Sequence, residues 1–577
     1  MARTSPNPAP LLLASGLTSG DVAELLKPYR FEDLKRADAN IQTMAGEPRS
    51  RELLAEILGE LLAAVSRTAD PDQALNHWER FLQAGVNRVQ LFGYLGDSPL
   101  MLHLLCTIFG DSASLAQTLI RDPLLVYWLA EEQVLTRRPS RSALDRALRS
   151  IIENLTSVEL KLDALRRVKR REMLRIGVRD LLRVADVSET TASLSDLASV
   201  LIQAAYEIVE TKLQRQYGTP MHRDRNGKLA QTGFSVVAMG KLGGGELNFS
   251  SDVDLIYVYA SDDGATQPSR PRGSKATQPV PRSIPNEEYF EYLARDLTKA
   301  LTDVTQEGYV FRVDLRLRAE GSVGRLARPL ADYERYYRTR GQGWERLALL
   351  KAWPIAGARA VGQAFLRLVK PFVFGRQDGR GGNRAAADII EQVKAIKGMI
   401  DDKMATRGHE RRNVKLGIGG IREVEFIVQA IQVLCGRQLA GILDRSTMGT
   451  LTRFRRYGLL SAVEQAALTQ GYLFLRDVEH KLQMVHDLQT HALPETPDEL
   501  TRCAIRLGYS PGDRRAAMKR FVADYRRHTA RVHRIFQKLF SAPARSPLLK
   551  LALGRLQNTR SGGHDHRGRN NKAGRLH

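Results

Sequence analysis

The sequence predicts an α+β, mostly helical protein in which a small α/β domain sits between an N-terminal helical region and a C-terminal helical bundle. Three observations predict it. Over most of the chain apolar residues recur at spacings of three and four, as helices that bury one face require. That texture breaks once, between Gly233 and Arg318, where β-rich runs and a glycine-rich turn take over. The composition, 43% hydrophobic and 26% charged over 577 residues, excludes wholesale disorder and collagen-like structure. The length allows roughly three to four domains of about 150 residues.

The elements follow in order. Residues 1–20 read as a flexible N-terminus, and 21–217 as a helical region. In it Leu53, Leu54, Ile57, Leu58, Leu61 and Leu62 mark one amphipathic helix. Leu100–Phe109, Leu115–Leu129 and Ser140–Val187 continue the pattern, and Asp196–Tyr217 is a helix stopped by Gly218. The α/β domain spans 218–345. Its strands are expected at Gly233–Met239, Val253–Tyr259 and Tyr309–Arg318, with a helix at Asn286–Val304. Residues 260–285, rich in Pro, Ser, Gly, Thr and Arg, read as a mobile insertion. Residues 346–545 return to helical periodicity, and 546–577 read as a disordered basic tail.

Several function classes recede on composition. No apolar run approaches the ~20 residues that cross a bilayer, and the first residues lack a signal-peptide pattern. Cys106, Cys435 and Cys503 are sparse and far apart, so a disulfide framework or zinc site is not expected, and the cytoplasm is the expected compartment. The net charge of +23 favours polyanionic partners, nucleotides and nucleic acid among them. No aromatic-rich RNA-binding motif or zinc knuckle accompanies it, so specific nucleic-acid binding is not expected.

The chemistry concentrates in Ala238–Tyr259, AMGKLGGGELNFSSDVDLIYVY. Gly243 and Gly244 let backbone N–H groups approach a phosphate, and Ser250 and Ser251 add hydroxyl donors. Asp252 and Asp254, two apart on a strand, share one face, while Val253, Leu255 and Tyr257 anchor the other. Carboxylates so placed repel unless a hard divalent cation lies between them, and Mg²⁺ fits. Asp314, on the polar face of the later strand, is the candidate third ligand. Arg312, Arg316 and Arg318 beside it suit phosphate oxygens. Lys241, Glu345, Arg346 and Lys351 are secondary candidates, about as well explained as structural ion pairs. His480, His486 and His491 do not repeat on one helical face and read as solvated or capped rather than metal-binding. Glu423 and Glu425 are expected on different faces, Glu423 pairing with an arginine such as Arg411.

In the order strand, glycine turn, Ser-Ser, D-x-D, insertion, helix, strand with Asp, these segments resemble a nucleotidyltransferase of the DNA-polymerase-β-like type. Longer motifs are more specific. Gly240–Tyr259, Gly308–Gly324 (GYVFRVDLRLRAEGSVG), Trp344–Gly357 (WERLALLKAWPIAG), Asn413–Gln429 (NVKLGIGGIREVEFIVQ) and Phe474–Pro494 resemble the bifunctional glutamine synthetase adenylyltransferase/adenylyl-removing enzymes. NFSSDVDL and KLGIGGIREVEF look like the N-terminal, adenylyl-removing half of that family, and the chain carries one such segment rather than two. Ala319 and Gln342 depart from residues common in the family, where Pro and Arg often stand.

The resemblance implies a cytoplasmic enzyme that regulates glutamine synthetase by nucleotidyl transfer at a tyrosine. The expected direction is removal of AMP by orthophosphate, giving ADP. Asp252, Asp254 and Asp314 would be catalytic and hold two Mg²⁺ ions. Gly243, Gly244, Ser250, Ser251, Arg316 and Arg318 would bind nucleotide and phosphate. Glutamine synthetase, phosphate and ADP or ATP would be partners, with the PII signal protein a further one and no membrane involved. The competing readings are ATP-dependent adenylylation of the same target, a uridylyltransferase of PII, an RNA-end-adding enzyme, and a non-catalytic binding module. Intact carboxylates argue against the last.

Overall fold

Two adjacent strands, apolar on both faces, organise the molecule. The computed structural model describes residues 7–224, 226–268, 282–375, 382–405 and 412–540. In chain order the strands are β1 (Thr219–Arg223), β2 (Leu229–Gln231), β3 (Phe234–Ala238), β4 (Val253–Tyr259), β5 (Thr266–Gln267), β6 (Val313–Asp314), β7 (Ala327–Pro329) and β8 (Trp353–Gly357). β3 lies antiparallel between β4 and β8, and β4 pairs in parallel with β6 and, further along, with β7. β1, β2 and β5 form a separate small sheet. Helices flank this core in sequence on both sides, as the α+β, mostly helical reading expects.

Side chains alternate along β3 and β4, and each alternate set enters a different core. Phe234, Val236 and Ala238, with Val253, Leu255, Tyr257 and Tyr259, pack with the N-terminal helices. Val237, Ile256 and Val258 pack with the C-terminal helices. Both faces are covered, so the runs read as continuous apolar stretches rather than half-polar ones. The N-terminal helix Pro48–Ser66 buries Leu54, Ile57, Leu58, Leu61 and Leu62, five of the six positions its periodicity marks, with Leu53 half-buried against the same core.

The helix Val187–Tyr217 starts earlier than its apolar pattern suggests. Asp186 caps it, accepting from the Glu189 N–H, and Ser195 and Ser199 donate back to carbonyls four residues earlier. Those local bonds let a hydroxyl-rich turn go into the core. At 31 residues this helix is long and apolar enough to cross a membrane by length and composition, although charged residues interrupt it and most of its apolar stretch is buried. Its apolar surface is spent on packing against Val158–Leu181, Asn286–Thr302 and β8.

The ten-residue strand expected at Tyr309–Arg318 is reduced to Val313–Asp314. Two local bonds explain this. The N–H groups of Val310 and Phe311 donate to the carbonyl of Leu301 at the end of a helix, and the Arg316 N–H turns back to Asp314 Oδ1. In the stretch 1–20, residues 1–6 lie outside the described residues, and Pro10–Leu13 is a helical turn with Leu11 and Leu12 buried. Of the insertion, residues 269–281 lie outside the described residues. Its flanks are tied together, the Thr266 N–H donating to the Ile284 carbonyl. The basic tail lies within 541–577, also outside the described residues.

Candidate active site

The ends of two parallel strands bring the carboxylates together. β4 and β6 pair with Val253 opposite Val313 and Asp254 opposite Asp314. Neighbouring residues in register point to the same face, and Asp252 precedes Asp254 by one pleat. That face is the one that carries Ile256 and Val258 into the C-terminal core. The carboxylates therefore sit at the mouth of the sheet, toward the C-terminal helices.

Their surroundings differ. Arg312 Nε donates to Asp252 Oδ1 at 2.7 Å, and its Nη2 bridges to the Ser250 carbonyl. Arg316 grips Asp314 through Nε and Nη2, at 2.6–3.0 Å, and holds its carboxyl below the usual range. Asp254 receives no hydrogen bond or ion pair to its carboxylate among the described residues. Burial, then the charges of Asp314 and Asp252, push its carboxyl up to about 6. Among the described residues no three His, Cys, Asp or Glu side chains are closed into a ready-made ligand cage. The donor set still fits a hard divalent cation. It is all oxygen, and at Asp254 it carries negative charge that no neighbouring donor pairs.

The phosphate-binding candidates separate into groups. Ser250 is buried and meets Arg312 through its hydroxyl and carbonyl, and Ser251 is half-buried beside Asp252. Arg316 is exposed apart from its hold on Asp314. Arg318 is buried and spends its guanidinium on the carbonyls of Leu315, Ser322 and Gly324, bracing a loop. Gly243 and Gly244 lie at the end of a helical turn, Gly240–Gly243, that leads away from the carboxylates. A Cβ at Gly243 would meet the Lys351 carbonyl at 2.0 Å, so that glycine is required by packing. The glycine that approaches the carboxylates is Gly240. It has φ +54°, and a Cβ there would fall 2.3 Å from Asp254 Oδ2. The sequence signal for it was its place directly after β3.

Behind the glycine turn lies a network of buried ions contributed by the C-terminal helices. Glu479 meets Lys241 at 2.8 Å and His491 at 2.9 Å, and accepts from Asn248. Burial acts against its charge, but Lys241, His491 and Arg476 hold its carboxyl well below the ordinary value. Glu246 accepts from the Thr447 N–H, from the hydroxyls of Ser446, Thr447 and Tyr472, and from Lys351. Lys351 also meets Glu425 at 2.9 Å. Lys241 and Lys351 thus make structural ion pairs, and Glu345 caps its own helix by accepting from the Gln342 N–H. Gln342, a departure from the family pattern, serves as the other half of that capping box.

Two of these histidines, His480 and His491, are enclosed rather than solvated. His480 is fully buried against Phe249, and burial pushes it down to about 4. His491 pairs with Glu479 as above, and the side chain of His486 lies outside the described residues. Glu423 and Glu425 are both buried. Glu423 meets Lys397 and His533, while Arg411 lies outside the described residues.

Comparison with known proteins agrees with the motifs. Residues 102–368 match the family model of glutamate-ammonia ligase adenylyltransferase, and residues 394–540 match that of GlnD PII-uridylyltransferase. A bifunctional glutamine synthetase adenylyltransferase/adenylyl-removing enzyme from Nitrosococcus oceani is 35% identical over 442 residues, 77% of this chain and 43% of its own length. The enzymes of the same name from Pseudomonas putida and Nitrosomonas europaea are 37% and 35% identical, over 69% and 81% of this chain and 38% and 47% of theirs. The chain spans less than half the length of these relatives. Over most of its length the chain is thus similar to one part of the longer bifunctional glutamine synthetase adenylyltransferase/adenylyl-removing enzymes.

Proposed function

We propose that the chain removes AMP from an adenylylated tyrosine of glutamine synthetase by phosphorolysis. An orthophosphate oxygen attacks the AMP phosphorus, the bond from phosphorus to the tyrosine oxygen breaks, the phenolate leaves and takes up a proton, and ADP forms. The observation that carries the reading is the pairing of Asp254 with Asp314 across parallel strands, with Asp252 on the same face. Asp252, Asp254 and Asp314 would hold divalent cations, Mg²⁺ being the ion we favour. Such ions orient the attacking oxygen and neutralise charge on the transferring phosphoryl group. The phenol's pKa of about 10 makes it a better leaving group than an alkoxide.

The protein's own residues set the site up. Arg312 fixes Asp252 and the Ser250 carbonyl in one arrangement. Exposed Arg316 can exchange Asp314 for a phosphate oxygen, which would free that carboxylate for a cation. The absence of a Cβ at Gly240 leaves room at Asp254.

The test is direct. Adenylylated glutamine synthetase, phosphate, Mg²⁺ and the purified chain should yield ADP and unmodified target. Pyrophosphate released from ATP with unmodified target would instead establish the opposite direction. A second reading, uridylylation of a PII protein, is favoured by the match over residues 394–540. It predicts pyrophosphate from UTP only when PII is present.

A further inference from the structure

All three guanidinium nitrogens of Arg312, the residue that meets Asp252, are engaged. Nε donates to Asp252 Oδ1 at 2.7 Å, and Nη2 donates to the Ser250 carbonyl at 2.7 Å. Nη1 donates to the Tyr309 hydroxyl at 2.9 Å. The guanidinium is a rigid planar fork, so holding its two terminal nitrogens sets the direction in which Nε points. Arg312 thereby occupies one oxygen of Asp252. The other, Oδ2, accepts no hydrogen bond among the described residues.

Tyr309 is placed from the N-terminal side. The Lys169 ammonium lies 4.4 Å from the centre of its ring and 5.4 Å from that of Phe311. The same helix, Val158–Leu181, grips the turn that delivers Tyr309. Thr305 Oγ1 donates to Asp163 Oδ1 at 2.9 Å, Arg166 donates to the Asp303 carbonyl at 3.1 Å, and Arg170 meets Glu307 at 2.9 Å. Asp163, Arg166 and Arg170, three and four apart, share one helix face. The turn itself is closed by reciprocal bonds between Thr305 and Gly308.

Ring and hydroxyl therefore have separate tasks. The ring packs under Lys169 and would do so equally as phenylalanine. The hydroxyl reaches the arginine that orients a carboxylate. We propose that Tyr309 is a positioning residue of the nucleotidyl-transfer site. Set in place by Lys169, its hydroxyl holds the Arg312 fork so that Asp252 keeps Oδ2 turned out for a divalent cation. This rests on the nucleotidyl-transfer reading above. It makes the N-terminal helical region a determinant of the site's geometry.

The test removes the hydroxyl and keeps the ring. Mn²⁺ binding is measured by electron paramagnetic resonance on the full chain, on Tyr309→Phe, on Lys169→Met and Lys169→Arg, and on Tyr292→Phe, which loses a hydroxyl bonded to Glu288 instead. Steady-state turnover of adenylylated glutamine synthetase is followed alongside. The proposal expects Tyr309→Phe to lower Mn²⁺ affinity and kcat by about three- to tenfold, with KM for the protein substrate unchanged. Lys169→Met should give a smaller loss in the same direction, Lys169→Arg should recover most of it, and Tyr292→Phe should match the unaltered chain. Thermal melts should place Tyr309→Phe within a degree or two of the unaltered protein. Unchanged Mn²⁺ affinity and kcat in Tyr309→Phe overturn the proposal and leave the nucleotidyl-transfer reading intact, because the unaltered chain still turns over. A drop of many degrees in the melting temperature of Tyr309→Phe overturns it in favour of a purely structural role. An unaltered chain that neither binds Mn²⁺ nor turns over substrate overturns both.

Discussion

Two acidic clusters flank the same glycine turn, and they are built on opposite principles. Glu246, Glu425 and Glu479 are buried, and each is matched by cations, with neutral donors added at Glu246 and Glu479. Asp252, Asp254 and Asp314 sit at strand ends with partners that are local and partly exposed, and Asp254 has none among the described residues. A buried carboxylate left unpaired is costly, so evolution usually pairs it or gives it something to bind. The contrast separates carboxylates that hold the fold from carboxylates poised for an outside cation, although Glu246 of the first set precedes Asp252 of the second by only six residues.

The sharpest way to break the comparison is to neutralise one member of each cluster. Asp252→Asn or Asp254→Asn should cut turnover by about 10³-fold or more, ~4 kcal/mol of transition-state stabilisation, with the circular dichroism spectrum unchanged. Steady-state assay of ADP formation checks it. Glu479→Ala should instead cost about 3–5 kcal/mol of stability, because Lys241 and Arg476 would be left buried without their counter-charge. Urea denaturation at neutral pH measures that loss.

A pH series sharpens the contrast. Asp254 has a folded-state pKa of about 6 against an ordinary 3.8, so its folded form prefers the proton. Its favourable contribution is present below about 3.8 and lost as pH rises through about 6. In the absence of divalent cations, Asp254→Asn should therefore be more stable than the unaltered chain at neutral pH, by on the order of 2–3 kcal/mol, and no more stable near pH 4. Paired denaturation curves at the two pH values decide it. The smallest effect is expected at Gly240→Ala. The left-handed backbone there costs roughly 1–2 kcal/mol for a residue with a Cβ, and the methyl would displace the Asp254 carboxylate. Its activity should fall further than its stability.

Much of this was legible in the sequence because it is local. The apolar alternation of β3 and β4, the D-x-D pleat and the helical periodicity on either side depend on neighbours within a few residues. The pairing of Asp314 with Asp254 could be anticipated because a lone carboxylate stood among arginines near a second β-rich run. What escaped depends on distant partners. The chain after Tyr309 looked like a long strand, yet the Leu301 carbonyl captures its N–H groups. His480 looked solvated or capped, yet it is buried between Phe249 and Asp180 of an N-terminal helix. The glycine triplet looked like a phosphate cradle, while packing against the Lys351 carbonyl accounts for Gly243, and the glycine beside the carboxylates is Gly240.

The central claim is that the Asp252–Asp254–Asp314 cluster is completed by a divalent cation, and Mn²⁺ uptake followed by electron paramagnetic resonance tests it most directly. The account predicts that the unaltered chain binds Mn²⁺, that Mg²⁺ competes for the same sites, and that Asp254→Asn, folded as judged by circular dichroism, loses that binding. Mn²⁺ binding that is equal in the unaltered chain and in Asp254→Asn, or missing from the unaltered chain, would contradict it.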